Sequence, residues 1–303
     1  MNDIIQVQQA EIVQAMDRAA IDVQIATAKA YPRNLPAVLN TIQTFATMDE
    51  ETAEECFYAL RRQGQNGQQL IEGLSVRMAE IVASAWGNLR VKTQIIGNDG
   101  KTVTVRGTCI DLETNVAVEQ DVPRRITDRN GRTFSEDMQV VTINAASAIA
   151  FRNAVLKVVP KAVIKKIITE VKKVAMGQSM SLEERRQNLI SYYAKIGVSE
   201  EMLYDYLGIT KREEIDMEAV FELKGLANAI KDGSTTVQES FIKPAHEKKE
   251  AEAAKAKAAE AKKKAMDAAA RSAKATKKTA EVVDTETGEV KQPSMFNEAA
   301  QQQ

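Results

Sequence analysis

Three pairs of acidic residues have a spacing that could hold a divalent cation: Asp111 with Glu113, Glu119 with Asp121, and Glu136 with Asp137. Magnesium held by such a pair would orient water for phosphodiester hydrolysis. None of the three comes with a Lys companion at strand spacing, and Asp is a common turn residue, so turn and solvated-face roles are the stronger reading. Nucleophilic chemistry has less to work with. The one histidine, His246, lies in a polar C-terminal segment, so the folded part lacks a Ser–His or Cys–His pair. Cys56 and Cys109 stand in apolar contexts and read as buried free thiols in a reducing compartment. Two scattered cysteines and one histidine do not make a zinc site. The sequence contains no Gly-x-x-x-x-Gly-Lys-Ser/Thr phosphate loop. The expectation is a protein that is not an enzyme, with no catalytic residue, metal or cofactor.

Positive charge is the remaining signal. The chain has 303 residues and a formal net charge of −1, but that balance is a cancellation. Residues 1–85 carry 6 basic and 11 acidic side chains, and residues 86–173 carry 15 and 9. Residues 174–242 carry 7 and 12, and residues 243–303 carry 13 and 10. Such segregation suggests a polyanion-facing part between acidic parts. Arg90, Lys92, Arg106, Arg124, Arg125, Arg129 and Arg132 fall in one strand-and-loop region, and Arg152, Lys157 and Lys161 in the helical stretch after it. A groove that tracks a nucleic-acid backbone needs cations of this kind. Aromatic residues nearby are few. Phe134, in the basic loop, is the stacking candidate, whereas Trp86 and Phe151 read as core. This set points to holding a phosphate backbone rather than reading bases; the alternative reading is ordinary surface charge.

The elements that must carry these residues follow from periodicity. Strand patterns occupy 89–96, 102–110 and 116–122, with Asn98-Asp99-Gly100 between the first two and Asp111 and Asn115 flanking the second turn. An Ala-rich helix runs from Thr142 or Asn144 to Val159, and after Pro160 a second covers 161–175 with Val163, Ile164, Ile167, Ile168 and Val171 inward. Upstream, a near-heptad pattern predicts a helix over 5–30, ended by Pro32 and Pro36, and a short helix over 37–46. Asp49 caps a further helix running through Cys56, Phe57 and Leu60, residues 63–69 form a loop, and 74–86 is helical. Downstream, residues 181–233 are helical and open with the capping box Ser181-x-x-Glu184. The remainder is an Ala/Lys/Glu-rich arm and polar tail, read as one exposed helix or a partly disordered segment, with Pro293–Phe296 as a short apolar island. The fold class is therefore α+β. Its parts are an N-terminal helical segment (1–48), a core with a small antiparallel three-stranded sheet followed by a packed helix (49–176), a helical module (177–242) and the arm (243–303). No apolar run approaches the roughly 18 residues that span a bilayer. With neither a basic start nor an apolar stretch at the N-terminus, a soluble cytoplasmic protein is expected.

Several blocks, in order, resemble phage and prophage recombination proteins: Ile71-Glu-Gly-Leu-Ser-Val-Arg-Met-Ala-Glu80, Trp86-Gly-Asn-Leu89, Asp111-Leu-Glu-Thr-Asn115, Ile126-Thr-Asp-Arg-Asn-Gly-Arg-Thr-Phe134 and Asn144-Ala-Ala-Ser-Ala-Ile-Ala-Phe-Arg-Asn153. The resemblance is to single-strand annealing proteins of the RecT/Redβ/Erf type and covers roughly residues 45–240. It implies a strand-strand-strand-helix core and ATP-independent annealing of complementary strands on a ring or filament of identical subunits. The family's basic helix would map onto Arg152, Lys157 and Lys161, and its basic hairpin region onto Arg124 to Arg132. Leu74 departs from the pattern, where Pro is expected. The arm does not match closely. In such systems a tail often recruits an exonuclease or the host single-strand binding protein. The alternative is an oligomeric scaffolding protein without annealing activity, and a metal-dependent nuclease is a weaker third reading.

Overall fold

Alternation and turn chemistry build the central sheet. In the structure, a computed structural model describing residues 2–64, 67–128, 130–177, 180–242 and 244, strands β3 (Leu89–Asn98), β4 (Thr102–Asp111) and β5 (Val116–Arg125) follow two earlier strands, and these three form an antiparallel sheet in the order β3-β4-β5. The β3–β4 turn places Gly100 at φ +79, and the Asp99 carboxylate accepts the backbone N–H groups of Lys101 and Thr102. Asn115 takes φ +57 at the β4–β5 turn. Along β4, Val103, Val105, Gly107, Cys109 and Asp111 turn to a buried face, and Thr102, Thr104, Arg106, Thr108 and Ile110 to the other. Helix α5 (Glu136–Val158) covers the buried face. Gly107 permits this approach, because a Cβ there would stand 2.3 Å from the Ala150 carbonyl oxygen. The α+β class and the sheet-then-helix order are as the sequence predicts. Helix α5 starts earlier than Thr142, at Glu136, behind the N-cap Ser135.

One expectation is overturned between Cys56 and Leu74. The helix capped by Asp49, α3, covers only Glu50–Glu55, and Phe57–Gly64 is strand β1, paired with β2 (Gly67–Leu74) from Phe57↔Leu74 through Arg61↔Leu70 to Gly64↔Gly67. Most of the presumed loop is therefore strand, and helix α4 (Val76–Trp86) starts after Leu74, with Ser75 as its N-cap. The physical reason lies far along the chain, in α9 (Met217–Lys231). Gly225 brings that helix so close that a Cβ on it would stand 2.6 Å from the Ala59 nitrogen. Arg61 donates to the Glu222 carboxylate, and the Asn228 side-chain amide to the carbonyls of Glu54 and Phe57. A distant partner thus overrides a local helical pattern.

Around these elements lie α1 (Asn2–Ala30), α2 (Leu35–Ala46), α6 (Lys161–Ala175), α7 (Leu182–Lys195) and α8 (Glu200–Leu207). One apolar cluster joins α2, α3, α4, α5 and α6 through Ile42, Ala53, Met78, Val155 and Ile164, and takes in Trp86 and both free cysteines. A second gathers α7, α8 and α9 around Tyr193, Leu203, Tyr206 and Leu226, and includes Leu60 of β1. The Ser181–Glu184 capping box is formed at the start of α7. Residues 1–245 form one compact unit. The expected arm, with His246 and Pro293–Phe296, lies outside the described residues apart from Pro244. No helix among the described residues is long and apolar enough to cross a membrane.

Candidate nucleic-acid interface

Two of the three carboxylate pairs are occupied by arginines. Asp111 and Glu113 clasp Arg33, in the linker between α1 and α2. Arg33 Nη1 and Nη2 donate to the two Asp111 oxygens at 2.9 and 3.0 Å, and its backbone N–H donates to Glu113 Oε1 at 2.9 Å. The same guanidinium donates to the carbonyls of Trp86 and Gly87 and lies 4.7 Å over the Trp86 ring. Burial alone would raise the Asp111 pKa, but the Arg33 guanidinium, the Glu113 N–H and Trp86 together hold it below its ordinary value of 3.8. Asp121 and Glu119 receive Arg106, with Nε–Oδ1 at 2.7 Å and Nη1–Oε2 at 3.0 Å. Glu136 and Asp137 occupy the first turn of α5, where the positive end of the helix favours them. Among the described residues, no three His, Cys, Asp or Glu side chains gather as ligands for one ion.

The predicted cations divide into three groups. Arg90, Lys92, Arg106 and Arg125 share the sheet face opposite α5, because Arg90 pairs with Ile110, Lys92 with Thr108 and Arg125 with Thr102. On that face Arg106 is committed to Asp121 and Glu119, and Arg90 donates to Gln24 of α1 at 2.9 Å. Lys92 and Arg125 are exposed.

Arg124 and Arg152 are drawn inward instead. Arg124 points to the covered face and donates to the Gly233 carbonyl at 2.6 Å, just past α9. Arg152 is 8% exposed. It lies 4.7 Å over the Tyr58 ring and makes long hydrogen bonds to Asn153 Oδ1 (3.3 Å) and Ser234 Oγ (3.5 Å). Burial lowers the pKa of both. Their geometry is that of a clamp between the sheet, α5 and the end of α9. It is not that of a groove wall.

The third group is exposed: Arg132 in the loop, Lys157 in the last turn of α5 and Lys161 in the first of α6. Arg132 shapes its loop through the backbone, donating to Asp128 Oδ1 at 2.9 Å and accepting the Asp128 N–H at 2.8 Å. Phe134 is half-buried, and its carbonyl takes the Gln139 side-chain amide. Arg129 lies outside the described residues.

Two lysines belong with this group that the sequence reading left out of the site. Lys165 and Lys166 are exposed one turn beyond Lys161. From residue 138 to residue 169 the chain has no acidic side chain. Lys172 and Lys173, further along α6, are by contrast taken by Glu72 and Glu170. The available signal was the i, i+4 spacing of Lys161 and Lys165 combined with that acid-free run. Buried Ile164 and Ile167 fix the helix so that its lysines face water.

Compared with protein-family models, curated proteins and solved structures, the chain matches none.

Proposed function

We propose that this protein binds single-stranded DNA through its phosphate backbone and anneals complementary strands without ATP, as the resemblance to RecT/Redβ/Erf-type proteins implies. The observation that carries the reading is the set of exposed lysines Lys157, Lys161, Lys165 and Lys166 around the α5–α6 junction, on an acid-free stretch of the chain. Among the described residues no carboxylate pairs with these four lysines, and such ammonium groups attract phosphates and release their counterions, a contribution that salt weakens. Lys92, Arg125 and Arg132 supply further exposed charge. Phe134 is the stacking candidate beside these cations, and with aromatic rings so few around them sequence preference is slight and bases stay available for pairing.

Assembly of identical subunits is part of the proposal. Strands β3 and β5 are sheet edges. Ile95 and Ile96 on β3 and Met138, Val140 and Val141 on the first turns of α5 are exposed apolar side chains. Open edges and apolar patches favour association. These same features support the scaffolding alternative, which differs in one outcome: an annealing protein grows its assemblies on added single strands, and a scaffold does not.

The deciding experiment is annealing of two complementary oligonucleotides, with and without ATP, at several salt concentrations. Acceleration by the protein that is indifferent to ATP and weakens with salt is the expected result. Absence of any binding to mixed-sequence single strands at low salt would overturn the proposal.

A further inference from the structure

A cleft of about 410 Å³ lies between the β1–β2 hairpin, the end of α6 and the segment from α8 into α9. Such a volume falls within the ~300–1,000 Å³ range of ligand-binding clefts. Leu70, Met176, Leu207 and Ile209 give it a partly exposed apolar floor, and Leu70 is 45% exposed.

Its rim is acidic. Glu72 pairs with Lys172, and Glu222 with Arg61. Glu214, Asp216 and Glu218 have no cation among the described residues. Glu214 accepts the N–H and hydroxyl of Thr210, Asp216 accepts the Ala219 N–H as N-cap of α9, and Glu218 is exposed in that helix's first turn. Neutral hydrogen bonds leave the charge of Glu214 and Asp216 in place. Two cations against five carboxylates leave the lining net negative.

We propose that this cleft docks a short peptide segment of a partner protein, in which an apolar side chain is flanked by lysine or arginine. The apolar floor buries the anchor, and the uncompensated rim selects the flanking cations. A phosphate backbone is repelled by the same rim, so the partner and single-stranded DNA address surfaces of opposite sign and do not compete. The inference stands on the cleft alone and is independent of the annealing proposal.

The test uses the full-length protein and a fluorescein-labelled peptide, acetyl-Lys-Lys-Leu-Lys-Phe-Lys-amide, followed by anisotropy at low salt. Saturable binding is expected. A Glu218→Lys/Leu70→Ser variant should weaken it about tenfold or more, because both the charge and the anchor contact are lost. A Glu200→Lys/Glu201→Lys variant, which reverses two exposed charges on α8 outside the cleft, should leave it unchanged. Replacing the Leu and Phe of the peptide with Ser should weaken binding to a similar degree. The proposal is overturned by absence of saturable binding, by an equal loss in the α8 variant, or by full retention in the cleft variant whose circular dichroism matches the parent.

Discussion

The two ends of α6 handle charge in opposite ways. At its start, Lys157, Lys161, Lys165 and Lys166 stand on a stretch free of acids. Past its end, cations are locked to carboxylates. Arg185 is buried between Glu50 and Glu54 and also donates to the Gly177 carbonyl, Glu54 takes Lys224 at 2.8 Å, and Arg186 and Arg212 share Glu183. Among the described residues, the arginines are mostly structural and the lysines mostly available. This follows from their chemistry, since a planar guanidinium fits bidentate, partly buried pairs while an ammonium stays hydrated. A count of positive charge therefore says little about binding until each cation's partners are known.

That contrast predicts different losses for different substitutions. Arg185→Met should have the largest effect, because it strands two carboxylates and a carbonyl around a side chain only 3% exposed. A loss of about 3–5 kcal/mol in denaturant-derived stability is expected, with DNA affinity of the folded fraction unchanged.

Arg33→Ala should cost roughly 2–3 kcal/mol by unsatisfying Asp111 and the carbonyls of Trp86 and Gly87. Trp86 is the only tryptophan, so its emission reports this site directly. The pH dependence should change as well. The Asp111 pKa is depressed on folding, so its contribution is fully present above 3.8 and is lost as pH falls through the lowered folded-state value. In Arg33→Ala the depressing partner is gone, and acid unfolding followed by Trp86 emission should show less of this loss below pH 3.8.

Replacing Lys157, Lys161, Lys165 and Lys166 with Ala should leave thermal stability nearly unchanged and weaken single-strand binding about tenfold or more, with the salt slope shallower by up to about 2.8. An unaltered slope would remove these lysines from the interface. Arg106→Ala should do least. Its pairs with Asp121 and Glu119 are exposed and screened by solvent, so stability should hardly change and affinity should fall by less than in the lysine variant.

The strands and turns of the β3–β4–β5 sheet were legible because their signals are local: alternation in Val103, Val105 and Cys109, and turn residues at Asn98-Asp99-Gly100. The β1–β2 hairpin was not, because Phe57 and Leu60 continue the spacing of α3 while the contacts that decide their state come from Gly225 and Asn228. The misplacement of Arg152 is the same miss seen again. Tyr58, the ring it lies over, reaches it only because residues 57–64 are a strand. Exposed lysines needed no such knowledge: helical spacing opposite Ile164 and Ile167 turns Lys165 and Lys166 toward water, although the sequence reading did not join them to the site.

Helix α1 is 29 residues long, or roughly 44 Å at 1.5 Å per residue. Its described contacts lie in its last turns, at Gln24 with Arg90 and at buried Ala28, with the Arg33 clasp just beyond. Whatever loosens Arg33 or Arg90 therefore also loosens the last turns of α1 from the sheet, so two arginines set the angle at which this helix leaves the β3–β4–β5 sheet.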